Sequence, residues 1–265
     1  ITVENTLTYA QQRDSQDELA SFRDRFYHPE INGKQAIYFT GNSLGLQPTS
    51  AEAYLKQELE DWRKYGVEGH FEARRPWYSY HEFFSKAMAE IAGAKESEVV
   101  AMGSLTANIH SLMASFYQPS KTRYKILCEK KAFPSDTYAM QAQAKLHGFD
   151  IADAIVEIGP KQGSDIITKD AIIEQIYELG DSLATVMIGG VNYYSGQVFD
   201  MAVITDAAHK VGAYCGFDLA HGMGNIEVKL HEWQVDFAAW CTYKYLNGGP
   251  GSVGGLFVHE NHHKR

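Results

Sequence analysis

Apolar residues recur along this chain in two rhythms, and the rhythms change at glycine, proline and serine clusters. From Pro48 to Tyr65 they return at helical spacing. Leu55, Leu59 and Trp62 share one face, and Thr49 and Glu52 have the spacing of a capping box. A second helix is predicted from about Trp77 to Ala92, with Phe84, Met88 and Ile91 aligned and Gly93 as its stop. Ile37-Tyr38-Phe39 is a short apolar run closed by Gly41 and Asn42, and Val99-Val100 leads into Gly103-Ser-Leu-Thr106. A helix carrying Ile109, Leu112, Met113 and Phe116 follows.

Beyond Pro119, strand and helix alternate. Strands are predicted at Tyr124–Cys128, Ile155-Val156, Thr185–Ile188, Tyr214–Phe217, Phe237–Trp240 and Leu256–Val258. Helices are predicted at Ser135–Leu146, around Ile172, Ile173, Ile176 and Leu179 up to Gly180, and at Met201–Val211. Such alternation reads as an α/β fold with a largely parallel sheet. Residues 1–48 are less regular and read as an arm, leaving 49–265 as the main domain. In a sheet of this kind ligands bind where strands end and helices begin, so polar residues just after strands carry the interest.

Composition narrows the classes. The chain has 265 residues, 45% hydrophobic and 22% charged, which excludes disordered, collagenous and coiled-coil proteins. A net charge of −9 argues against a nucleic-acid partner. No apolar run approaches the roughly 20 residues of a membrane helix, and the polar N-terminus has no secretory h-region. Three scattered cysteines, Cys128, Cys215 and Cys241, suit a reducing compartment, with the cytoplasm expected.

The strongest chemical signal is Asp218-Leu-Ala-His221, with Thr242-Tyr243-Lys244 ending 26 residues beyond Asp218. Each group follows an apolar strand. If those strands are neighbours, a carboxylate and an amine stand together at the carboxyl edge. The amine can form a Schiff base with an aldehyde cofactor, and the carboxylate can pair with a pyridinium nitrogen. The plainer alternative is a strand-end ion pair of little energetic weight. Gly103-Ser-Leu-Thr106 opens a helix whose N–H groups could bind an anion, or Ser104 could simply cap it. Phe133-Pro-Ser-Asp136 lies in another strand-end loop, where Phe133 could stack on a flat ring or pack in the core. The glycine-rich stretch Gly248–Gly255 is neither a Walker motif nor a dinucleotide fingerprint. It reads as a turn allowing close backbone approach to a ligand or partner. No His-Glu-x-x-His and no Gly-x-Ser-x-Gly occurs, so neither a metal site nor a serine hydrolase is expected.

Taken together these stretches resemble the kynureninases, a pyridoxal-phosphate family of the aspartate aminotransferase fold (fold type I). The resemblance runs through Gly41-Asn-Ser-Leu-Gly-Leu-Gln-Pro48, Gly69-His70, Arg75-Pro-Trp77, Leu105-Thr106, Phe133-Pro-Ser-Asp136, Tyr194-Ser-Gly-Gln197, Gly216-Phe-Asp-Leu-Ala-His221 and Trp240-Cys-Thr-Tyr-Lys-Tyr-Leu-Asn247. Each motif is weak alone, but their shared order across nearly the whole chain is specific. The resemblance implies a large domain with a mostly parallel sheet of seven-stranded type between helices. It implies pyridoxal 5'-phosphate held covalently by Lys244, with Asp218 on the ring nitrogen and His221 beside it. Phe133 would stack on the ring, Leu105, Thr106 and Tyr243 would bind the phosphate, and Ser135 and Asp136 would contact the ring or its substituents. Ser43 and His70 would meet the aryl end of the substrate, and Tyr243 would donate a proton. The implied reaction is hydrolysis of L-kynurenine or 3-hydroxykynurenine to anthranilate or its 3-hydroxy form plus L-alanine, in tryptophan catabolism and NAD biosynthesis, by a homodimer.

Two departures matter. Gly189 stands where some members carry a hydroxyl residue near the cofactor. The family's C-terminal small domain, with its carboxylate-binding arginine and downstream Trp and Asn, has no counterpart in this sequence. The chain therefore reads as an N-terminal fragment, poorly active alone. A cysteine desulfurase or selenocysteine lyase, or a non-catalytic protein of the same fold, are the competing readings.

Overall fold

The computed structural model describes residues 3–264, which fall in two compact units, one ending at Tyr78 and the other beginning at Ser79. In the first, α1 (Leu7–Ser15) starts at Thr6, whose side chain accepts from Tyr9 N–H. A hairpin pairs β1 (Glu30–Ile31) with β2 (Lys34–Gln35). Its turn residues Asn32 and Gly33 both take positive φ, the usual requirement of a two-residue hairpin loop. Helix α2 (Ala51–Tyr65) and the single turn α3 (Gly69–Glu72) complete the unit.

One local expectation changes here. The helix cap is Ser50, whose side chain makes no capping bond, so the Thr49–Glu52 box does not form. Ile37 and Phe39 are exposed and form no ladder among the described residues. Leu55, Leu59 and Trp62 do share a face of α2, with Trp77 beside them, but all three are largely exposed. The buried residue of α2 is Asp61, which accepts from Arg74 N–H and Nε at 3.0 and 3.1 Å. A periodic apolar stripe identifies a helix and a face, but not whether that face is covered.

The second unit begins with α4 (Glu82–Ala92), which starts later than the apolar pattern suggests and stops where predicted, at left-handed Gly93. It continues through β3 (Val99–Ala101), α5 (Leu105–Phe116), β4 (Lys125–Glu129), α6 (Pro134–Leu146), α7 (Ile151–Ala154) and β5 (Ile155–Ile158). Then come α8 (Lys169–Leu179), β6 (Leu183–Gly189), α9 (Met201–Lys210), β7 (Tyr214–Asp218), β8 (Phe237–Trp240) and β9 (Gly255–Val258). The seven strands lie in the order β3-β9-β8-β7-β6-β4-β5, and only β9 opposes the common direction.

Period-two alternation splits the core between two faces. Leu127, Val186, Ile188, Phe217 and Ala238 point to the face covered by Ile172 and Ile176 of α8 and Ile204 and Ala208 of α9. Ile126, Cys128, Met187 and Phe237 point to the other, under Ile109, Met113 and Phe116 of α5 and Met140 of α6. Strand order reverses at β4, with β5 on one side and β6 then β7 on the other. A crevice at the carboxyl ends of β4 and β6 is the expected ligand position in such a sheet. Among the described residues, no helix is long and apolar enough to cross a membrane.

Candidate active site

The carboxyl ends of β4, β6, β7 and β8 do form a cleft. Leu105, Thr106, Phe133, Ser135, Asp136, Asp218, His221, Tyr243 and Lys244 all line it, joined by Glu129, Gly189, Val191 and Tyr193. Asp218 ends β7 opposite Gly189 of β6 and Ala239 of β8. Lys244 lies just beyond β8, in a turn held by hydrogen bonds from Asn247 N–H to Lys244 O and Gly248 N–H to Thr242 O.

The Lys244 Nζ donates to His221 Nε2 at 3.0 Å, while His221 Nδ1 faces the Tyr245 hydroxyl at 3.4 Å. Burial, with the nearby ammonium, pushes the imidazole down to about 4, so His221 is a neutral acceptor. Asp218 Oδ1 accepts from Ala220 N–H at 2.7 Å, and Asp136 and Asp218 share a hydrogen bond. Burial, then the Asp218 charge, push Asp136 up to about 10. Burial raises Asp218 as well, but the Ala220 N–H and the charge of Lys244 oppose it. Within the pair the shared hydrogen bond raises Asp136 and lowers Asp218, which places the proton on Asp136 first.

Ser104 caps α5, its Oγ accepting from Ala107 N–H at 3.3 Å. The Leu105 and Thr106 amides have no partner among the described residues and border the cleft. The glycine stretch explains how this helix end is held. Gly254 N–H donates to Gly103 O, and Met102 N–H donates to Gly254 O. A Cβ on Gly254 would lie 2.8 Å from Trp240 O and 3.3 Å from Leu105 N. The close approach expected of these glycines is thus made to the protein's own backbone.

Phe133 lies at the cleft with its ring half exposed, edge-on to Tyr193 at 5.3 Å, rather than in the core. Tyr243 is hydrogen-bonded to Cys241, and burial pushes its phenol up to about 12. Ser43 and His70 belong to residues 1–78, where His70 Nδ1 bonds Val67 O at 2.7 Å and its ring meets Trp77 edge-on.

A profile of the aminotransferase class-V family matches residues 37–265. The chain belongs to the aminotransferase class-V family. Within this class-V chain, similarity extends to proteins named kynureninase. That of Flavobacterium psychrophilum is 56% identical over 260 residues, covering 98% of this chain and 61% of its relative. That of Mus musculus is 45% identical over 261 residues, covering 94% of this chain and 56% of its relative. The class-V chain thus spans about 60% of the length of the curated relatives it matches. A solved cysteine desulfurase from Thermococcus onnurineus NA1 shares the fold with a TM-score of 0.65 at 21% identity, over 85% of this chain and 54% of that one.

Sequence reasoning missed Glu129 and Tyr193 in this class-V site. The signal for Glu129 is a carboxylate closing the apolar strand Lys-Ile-Leu-Cys-Glu; Tyr193 has none beyond its position after β6. Elsewhere, Glu98, His231 and His259 hold their nitrogen and oxygen ligand atoms within 4.8 Å of one another. Their arrangement is a clamp. Glu98 accepts from Lys95 N–H, Glu260 N–H and His231 Nδ1. The two imidazoles stack at 6°, so their in-plane lone pairs do not converge on one point.

Proposed function

We propose that this protein is a kynureninase, using pyridoxal 5'-phosphate for hydrolytic Cβ–Cγ cleavage of L-kynurenine or 3-hydroxykynurenine to anthranilate or 3-hydroxyanthranilate and L-alanine. The observation that carries the reading is the joint presence of the Lys244 amine and the Asp218 carboxylate in one cleft with the unpartnered Leu105 and Thr106 amides. This donor set fits the cofactor, with an amine for its aldehyde, a carboxylate for its ring nitrogen, a helix end for its phosphate and the exposed Phe133 ring for stacking. Bound there, the cofactor supplies an electron sink for charge developing on the substrate carbon.

The residues of this chain do the rest. Lys244 Nζ would hold the cofactor through its aldehyde and would carry a proton at the substrate α-carbon. His221, neutral, accepts a hydrogen bond from Nζ and keeps the amine aimed into the cleft. Asp218 keeps its charge toward the ring nitrogen because Asp136 holds the shared proton. Tyr243 Oη, protonated throughout the neutral range, donates the proton to the carbon released from Cγ. Ser135 and Asp136 contact the ring substituents, and Ser43 and His70 the aryl end of the substrate. We infer a small-molecule amino-acid substrate and a homodimer from the motif resemblance to the kynureninases, and a cytoplasmic setting from the three unpaired cysteines.

A cysteine desulfurase or selenocysteine lyase needs a reactive thiol. Cys128, Cys215 and Cys241 are all buried, and burial raises each thiol above its ordinary value. Borohydride reduction of the intact protein with bound cofactor, followed by peptide mass mapping, tests the reading. Modification at Lys244 with anthranilate release from kynurenine supports it. Modification at another lysine, or sulfide release from cysteine in place of anthranilate, overturns it.

A further inference from the structure

Glu129 is the one carboxylate lining the cleft to which the reading above gives no task. It ends β4, at the point where strand order reverses, and its side chain is almost fully buried. Its Oε1 accepts from Gly189 N–H at 3.1 Å, which ties the ends of β4 and β6 together. Its Oε2 is buried without any hydrogen-bond partner among the described residues. A Cβ at position 189 would lie 3.0 Å from Oε1, so the glycine there leaves the carboxyl its room.

The groups around Glu129 decide its charge. Asp218 faces it from β7 and Asp136 from the start of α6, with Cys128 preceding it on β4 and Ile158 paired to it on β5. His221, Tyr193, Tyr243 and Lys244 are the other titratable groups lining the cleft. Lys244 is the only cation among them, and Asp218 already balances it. An ionised Glu129 would add a second negative charge beside Asp218 with no counter-ion and only one oxygen hydrogen-bonded.

We propose that Glu129 is a positioning residue of the cofactor site, whose uncharged carboxyl pins Gly189 to β4 and leaves Asp218 as the single negative charge of the cleft. This rests on the cofactor reading above. Burial, aided by the Asp218 charge, lifts Glu129 to about 7, so the neutral form is held through mildly acidic conditions and lost above neutrality. Pyridoxal phosphate is itself an anion, and its binding weakens when Glu129 ionises.

The test compares the intact protein with Glu129→Gln, which keeps the shape and the Gly189 acceptor but cannot ionise. With pyridoxal phosphate as the probe, the two bind equally near pH 6. Near pH 8.5 the variant binds about tenfold more tightly, the effect of one like charge worth about one pH unit. A ratio that stays the same at both pH values overturns the proposal. A carbon-13 titration of the glutamate carboxyls without cofactor gives a separate readout. The resonance absent from Glu129→Gln titrates near neutrality in the wild-type protein, and titration in the ordinary glutamate range overturns the proposal whether or not cofactor binds. Failure of both proteins to bind the probe, with the neutral titration intact, instead defeats the cofactor reading.

Discussion

Asp236→Ala removes one side chain that joins four parts of the large unit. Asp236 lies just before β8 and is buried. Its Oδ2 accepts from Cys215 N–H at 2.7 Å and His209 Nε2 at 2.8 Å, and its Oδ1 meets His262 Nε2 at 2.7 Å. Truncation leaves the Cys215 amide buried and unpaired, at about 1–3 kcal/mol, and removes the imidazole bonds on both sides. The expected loss is about 3–5 kcal/mol, the unpaired amide together with two hydrogen bonds to a carboxylate. For a unit of this size that lowers Tm by roughly 10 °C or more. The loss also depends on pH. The Asp236 hydrogen bond raises His209 above its ordinary value. A raised histidine contributes stability that is complete below its unfolded value and lost as pH rises through its folded value. The gap between wild type and variant therefore narrows from mildly acidic to alkaline pH. It narrows by under about 1 kcal/mol, because the His209 side chain is 37% exposed and solvent screens the pair. Thermal and urea unfolding at both ends of that range measure it. A loss below about 1 kcal/mol, or a gap that widens with pH, would refute the reasoning.

Two further substitutions probe the cleft. Gly254→Ala presses a methyl on Trp240 O and the Leu105 amide. It should cost about 1–3 kcal/mol as overpacking and weaken cofactor retention, read by unfolding and by dialysis against phosphate. Retention equal to wild type would separate the α5 end from phosphate binding. Tyr243→Phe should keep the cofactor-labelled Lys244 yet lower turnover by about 10²–10⁴, the usual range for a lost general acid, in an anthranilate-release assay. Unchanged turnover would remove Tyr243 from the proton path.

Much of this protein is written locally. Apolar runs ended by Asp218 and Trp240 and the stop at Gly93 are short-range signals, and each element they mark is present. The nine residues expected around a cofactor follow strand ends, and a parallel sheet brings such ends to one edge. The stripe of Leu55, Leu59 and Trp62 is equally visible, yet it stays exposed while Asp61 is buried, because coverage depends on what packs against a face. Strand order is likewise beyond local signals. Nothing near Glu129 says that β4 lies beside β6, or that Gly189 offers it an amide while Asp136 and Asp218 crowd it with like charge. Period and capping are properties of neighbouring residues, whereas the charge a carboxylate carries in a cleft is set by groups distant in sequence and by the water that the fold removes.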